Sequence, residues 1–188
     1  MKTKIDLLND IEKIARECVP PAPRHLDISL EAGEKLAKIY NADITMVKIG
    51  IYLMDIKLSE AMKNNVASEH TKMAVEFAKE YLKNYDLTDE EYNILINSVE
   101  AHHGKVPFNS IESEICANAD CYRFIHPSGV FTYMGVLAKR TNDFFEQIKQ
   151  IEFKLDEKYN ILSLKESKDE LQKYYEQFKE QFNEILKH

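Results

Sequence analysis

Glycine and proline are scarce in this 188-residue chain, at five each. Hairpins and tight strand connections are written with those residues, so their scarcity argues against a sheet and for an all-α fold. Cysteine is rare as well. Cys18, Cys116 and Cys121 are odd in number and none forms a CxxC pair, which speaks against a disulfide framework and for a reducing setting. No apolar run is long enough to span a bilayer, and the first residues lack the apolar stretch of a signal peptide. The expectation is a cytoplasmic protein with no membrane partner. Basic charge is not in excess either: the formal net charge is −7, which argues against nucleic acid as a partner. Internal repeats and low-complexity linkers are missing too. With 44% hydrophobic residues, the chain is long enough to bury a core in one domain, with or without an appendage.

What is present is helical periodicity. Residues 4–17 form an amphipathic pattern with Ile5, Leu8, Ile11 and Ala15 on one side. Pro20, Pro21 and Pro23 break it. A second helix is predicted over 24–40, and Asn41-Ala42-Asp43 reads as a turn and cap before a third that runs to about Leu58. Residues 62–68 read as a loop, and a fourth helix follows over 68–83. Thr88 with Glu91 makes a capping box that opens a fifth helix. It runs to His102-His103 and stops at Gly104. A sixth helix is predicted over 110–124, and His126-Pro127-Ser128-Gly129 reads as a loop. From Val130 the chain is charged and helical, with a second capping box, Ser163 and Glu166, dividing it near Asn160. The organisation expected is an N-terminal helix (1–19), a central domain (20–135), and C-terminal helices (136–188) that pack on it or form a dimer arm.

Residues of metal-binding type sit on the apolar faces of these helices. Ile44, Val47 and Ile51 step to Asp55; His70 lines up with Met73, Ala74, Phe77 and Tyr81. Tyr92, Leu95, Ile96 and Val99 lead to His102 and His103. Asp120 comes one turn after Cys116, beside the face of Ile111 and Ile115. A carboxylate on such a face must be paired or metal-bound. Taken singly, each His is ordinarily a hydrogen-bonded core residue and each Asp a cap. Together they suit a metal of N/O preference.

In order and context the series resembles the HD domain superfamily, whose pattern is His, His-Asp, His, His or His-His, and Asp over successive helices. The segments that carry the resemblance are RHLDISLEAG (His25), IYLMDIKL (Asp55), ASEHTKMAVEFA (His70), LINSVEAHHG (His102 and His103) and EICANADCY (Asp120), within residues 20–130. The resemblance implies an all-α, HD-like helical bundle with additional C-terminal helices. It implies a metal-dependent phosphohydrolase acting on a nucleotide or other phosphate ester through a metal-activated water. The cofactor would be one or two divalent ions, Mn, Fe, Co, Ni, Zn or Mg. His25, the doublet and Asp120 would hold the first ion. Asp55 would bridge to a second, held by His70 and by His102 or His103. Asp55 and Asp120 would be the catalytic carboxylates. Lys57, Lys105 and Arg123 are candidate phosphate contacts, with ordinary surface charge as the plainer reading. Glu100 is either an acceptor behind a ligating imidazole or solvent-exposed.

The chain departs from the pattern at one place. Met54 stands where the doublet has its His. A thioether is a soft ligand, poorly matched to the ions of phosphoryl chemistry. Its plainer role is to fill the core beside Ile51 and Leu53. The expected function is therefore a phosphohydrolase with a degenerate first metal site. The alternatives are an impaired HD module that binds a nucleotide or partner protein, and a di-iron oxygenase, which Met54 disfavours most. The partners expected are a small phosphorylated ligand or nucleotide, with a homodimer through the C-terminal helices as an option.

Overall fold

A computed structural model describes residues 1–18 and 22–187. The chain is helical throughout, with no β-strand among the described residues. Helix α1 (Lys4–Cys18) leads to α2 (Pro23–Tyr40), α3 (Ile44–Met54), α4 (Leu58–Lys63) and α5 (His70–Tyr81). Then come α6 (Asp89–Ala101), α7 (Ile111–Ile125), α8 (Pro127–Leu137), α9 (Phe144–Ile161) and α10 (Lys165–Leu186). Pro20 and Pro21, expected to break the first helix, lie outside the described residues. Pro23 does not break a helix; it opens α2 in the first turn, where its missing N–H costs nothing.

Helix α7 is the axis of the bundle. It is buried on nearly all sides from Ile115 to Tyr122, and α2, α3, α6, α8 and α9 all pack on it. Small residues make this crowding feasible: Cys116, Ala117, Ala119 and Cys121 let neighbouring helices approach closely. The stripe that α1 buries is Leu7, Ile11 and Ala15, while Ile5 faces solvent. Of the predicted face, Ile11 and Ala15 are buried and Leu8 partly so, and Leu7 takes the place expected of Ile5.

Five local expectations need correction. The third helix stops at Met54 rather than Leu58, because Asp55 leaves helical conformation (φ −111°, ψ 15°). A short turn follows before α4, so part of the expected 62–68 loop is helical. Residues 126–129 are not a loop: His126 caps α8, accepting from the Ser128 N–H, and Pro127 is its first residue. Pro127 was read as part of a loop where it starts a helix. The helical region after Val130 breaks at 138–143, where Asp143 caps α9. The Ser163–Glu166 capping box does not form. Asn118 of α7 takes over that end, its Oδ1 accepting from the backbone N–H groups of Ser163 and Leu164 at 3.1 Å each. The Asn118 amide donates to Ser163 Oγ, and Glu166 instead accepts from the Tyr40 hydroxyl. The Thr88–Glu91 box does form.

Candidate metal centre

Three imidazoles meet where α5 begins and α6 ends. His70 is the first residue of α5, after a 3₁₀ turn (Ala67–Glu69) whose Ala67 carbonyl lies 2.7 Å from His70 Nδ1. A carbonyl only accepts, so Nδ1 carries the proton and Nε2 keeps its lone pair. His102 closes α6 with the same arrangement, its Nδ1 donating to the Val99 carbonyl at 2.7 Å. His103 follows, before Gly104 turns the chain with φ 68°. Its Nε2 is 3.1 Å from His70 Nε2. One ring nitrogen from each of the three histidines lies within 4.8 Å of the others. Ligand nitrogens about 2.0–2.1 Å from one ion stand roughly 3.0–3.4 Å apart, so the His70–His103 spacing already suits coordination. The His103 Nδ1 faces the Lys158 ammonium at 3.4 Å and Glu157 Oε1 at 3.7 Å, and a ligating Nε2 requires the proton on Nδ1.

Asp55 completes this side. Its Oδ1 is 3.5 Å from His70 Nε2 and 3.8 Å from His102 Nε2. The helix end at Met54 allows this, since Asp55 is released from α3 into the cleft. His102 is fully buried and its Nε2 has no hydrogen-bond partner. Buried polar atoms are almost always paired, so an orphaned imidazole nitrogen beside two others marks a ligand position. A divalent ion of N/O preference fits here. Burial, with His103 next to it, pushes the His102 pKa down to about 3, so the ring is neutral and ready to ligate near pH 7.

The first metal position is different. Arg123 Nη1 donates to Asp55 Oδ2 at 2.7 Å. Arg123 Nε lies 3.3 Å from Asp120 Oδ1, close enough for attraction but off the direction of a hydrogen bond. Lys158 of α9 donates to Asp120 Oδ2 at 2.6 Å, with both side chains buried. Burial alone would raise the Asp55 carboxyl, but Arg123 and the nearby imidazoles hold it down at about 2. Asp120 is lowered likewise, against its burial, by Arg123 and Lys158. His25 donates from Nε2 to the Gly129 carbonyl at 3.1 Å, and its ring packs edge-on against Phe124. Burial and then Arg123 push its pKa down to about 4. Met54 is 1% exposed and joins the hydrophobic core; it does not line the cavity. These residues do not fit a metal: the Oδ2 of each carboxylate is held by a protein cation, Arg123 also stands over Asp120 Oδ1, and the thioether is turned into the core.

The cavity between the two positions holds about 300 Å³ and is lined by His25, Asp55, His70, His103, Asp120 and Arg123 among others. Of the sequence-derived set, these and His102 behind them converge. Both members of the His pair take part in the cluster. Lys57 pairs with Glu60 at 2.7 Å over the Phe77 ring and lies outside the cavity. Lys105 is exposed on a separate surface hollow beyond Gly104. Glu100 lies toward solvent, 3.9 Å from Lys79. Arg123, weighed as a phosphate contact, is instead a buried partner of both carboxylates. Lys158, Lys154 and Arg140 were missed. Lys158 had a signal: it sits on the α9 apolar stripe of Ile148, Ile151, Leu155 and Leu162, at spacings of three and four. A lysine there must be buried and paired.

No family model matches the sequence. Two ribonuclease Y proteins, from two strains of Staphylococcus epidermidis, are 34% identical over 92 residues, 49% of this chain. The matched stretch is 16% of each of those proteins, so the chain spans a small part of their length. Two solved structures share the architecture over nearly the whole chain. One is a predicted HD superfamily hydrolase from an uncultured Thermotogales bacterium (TM-score 0.62, 15% identity, 97% of this chain and 90% of that one). The other is Bacillus subtilis YpgQ (TM-score 0.64, 14% identity, 98% and 96%). The chain has the all-α fold of HD-domain proteins, as the sequence resemblance implied, and no described helix is long and apolar enough to cross a membrane.

Proposed function

We propose that this chain is a metal-dependent hydrolase of small phosphate esters, nucleotides included, with its ion at His70, His102, His103 and Asp55. The observation that carries the reading is the orphaned Nε2 of buried His102, next to two further imidazoles and a carboxylate. A divalent ion there would supply Lewis acidity toward a phosphoryl oxygen and acidify a water. The protein's own groups have complementary tasks. His70 and His102 are held in one tautomer by backbone carbonyls. Lys154 and Arg140 give the cavity a cationic side for phosphoryl oxygens, and Phe124 and Tyr133 give it an aromatic side. A cavity of about 300 Å³ in a chain of net charge −7 suits a small ester better than a polymer. The ribonuclease name belongs to relatives that this chain matches over a small part of their length.

The test is turnover of phosphomonoesters, cyclic dinucleotides and nucleotides after loading with Mn, Co or Ni, compared with His70→Ala. Metal-dependent turnover that His70→Ala abolishes is the expected result; no turnover with any ion rejects the enzyme reading. One observation favours a second reading, a module that binds a nucleotide without cleaving it: Asp55 and Asp120 are both held by protein cations. Tight nucleotide binding without turnover would select it. A di-iron oxygenase needs both positions open to metal and gains no support from these ion pairs.

A further inference from the structure

We infer that the place of the first metal is filled by two cations of the protein itself, the Lys158 ammonium and the Arg123 guanidinium, so that the chain binds one divalent ion rather than two. The inference rests on the three-histidine position being a metal site. It is carried by four features that agree. Lys158 reaches from α9 to Asp120 Oδ2 at 2.6 Å, and its side chain is only 2% exposed. Arg123 sits between the two carboxylates, 2.7 Å from Asp55 Oδ2 and 3.3 Å from Asp120 Oδ1. His25 spends its Nε2 on the Gly129 carbonyl. Met54 is packed in the core and offers no ligand to the cavity.

Charge balance leads to the same place. Asp55 and Asp120 carry two negative charges, and Arg123 and Lys158 carry two positive ones; Asp120 and Lys158 are buried, and Asp55 and Arg123 are largely so. The cluster is neutral before any metal arrives. One divalent ion among neutral imidazoles beside Asp55 adds two positive charges. A second, set against the ammonium and guanidinium, would double that excess in a region shielded from water, where like charges repel strongly. Lys158 also stands 3.4 Å from His103 Nδ1, so the resident cation touches the remaining metal position as well. In this reading α9 supplies electrostatically what a second ion would supply: a fixed positive charge on Asp120, at the wall of the substrate cavity.

The test counts ions without reference to activity. Wild type, Met54→His, Lys158→Met/Arg123→Met and Lys158→Gln/Arg123→Gln are titrated calorimetrically with Mn²⁺ and assayed by elemental analysis after desalting. Folding of each is checked by circular dichroism. The expected counts are one ion for wild type, one for Met54→His, and two for each double variant. A second ion in wild type overturns the inference. So does a second ion in Met54→His with Lys158 and Arg123 in place, or no gain in a folded double variant. If both double variants fail to fold, the counts for wild type and Met54→His decide. No ion at all in wild type rejects the three-histidine reading instead, and the step from wild type to the double variants still decides the role of Lys158 and Arg123.

Discussion

Met54→Ala separates a packing residue from a ligand. The side chain is 1% exposed and belongs to the continuous core. Truncation removes three heavy atoms from a site with no access to water, and such changes cost about 2–5 kcal/mol depending on how far the neighbours relax. For a chain of this size each kcal/mol lowers the melting midpoint by about 2–4 °C, so a fall of roughly 4–20 °C is expected. Met54→Leu conserves volume and should cost less than about 1.5 kcal/mol. The assay is thermal and urea unfolding of both variants, with metal content measured on the same samples. Both should keep the wild-type metal content, because the thioether touches no ion. Two results would refute the reasoning. One is an alanine variant as stable as wild type, which would mean the site is not packed. The other is a folded leucine variant that has lost its metal, which would make Met54 a ligand.

Further outcomes follow from the same geometry. In protein stripped of metal by chelation, His102 (pKa about 3) and His25 (about 4) stay neutral well below their ordinary 6.5. The unfolded chain takes up those protons first, so stability is fully present above about pH 6.5 and is lost as pH falls toward 3. Asp55, held at about 2 against an ordinary 3.8, adds to the loss below pH 3.8. Melting midpoints between pH 8 and 4.5 should be level above 7 and fall below it; a level profile throughout would contradict the burial argument. Mn²⁺ at a hundredfold excess over its dissociation constant should stabilise the fold by about 2.7 kcal/mol, and His70→Ala should abolish that response in a thermal shift assay. Asn118→Ala should cost on the order of 2–4 kcal/mol, because it strips the acceptor from two backbone N–H groups at the start of α10. Hydrogen exchange should then rise at Ser163 and Leu164, and unchanged exchange there would show that the cap is not needed.

Most of the fold could be read from the sequence because helix periodicity and local caps are short-range. The Thr88–Glu91 box depends only on neighbours within four residues and is as expected, whereas the helix it opens ends at Ala101, short of the predicted end at His102-His103. Where a partner from elsewhere in the chain competes, local reading failed. Ser163 carries a valid box pattern, but Asn118, 45 residues away, reaches the same groups first. Proline was misjudged at 23 and 127 because its effect depends on whether it falls before or inside a helix. In the candidate site, His70, the His pair and Asp120 were legible from their apolar faces; Asp55 reaches the cleft by leaving its helix, and His25 was indicated by the family resemblance alone. The pairing of Asp120 with Lys158 was not legible, since it depends on α9 folding back onto α7, and that of Asp55 with Arg123 depends on α3 meeting α7. A lysine in the middle of an apolar stripe was the available clue.

The contact between Gly129 and His25 has its own consequence for how the site can vary. A Cβ at 129 would lie 2.4 Å from the Arg123 carbonyl oxygen, so α8 turns against the last residues of α7 with room for hydrogen only. The atom that fixes His25 is thus a main-chain carbonyl, at a position where no larger residue is admitted without parting the two helices. Drift can rewrite the side chains around this cleft one at a time. The anchor of His25 is not among them, and it yields only to a change that moves α8 as a unit.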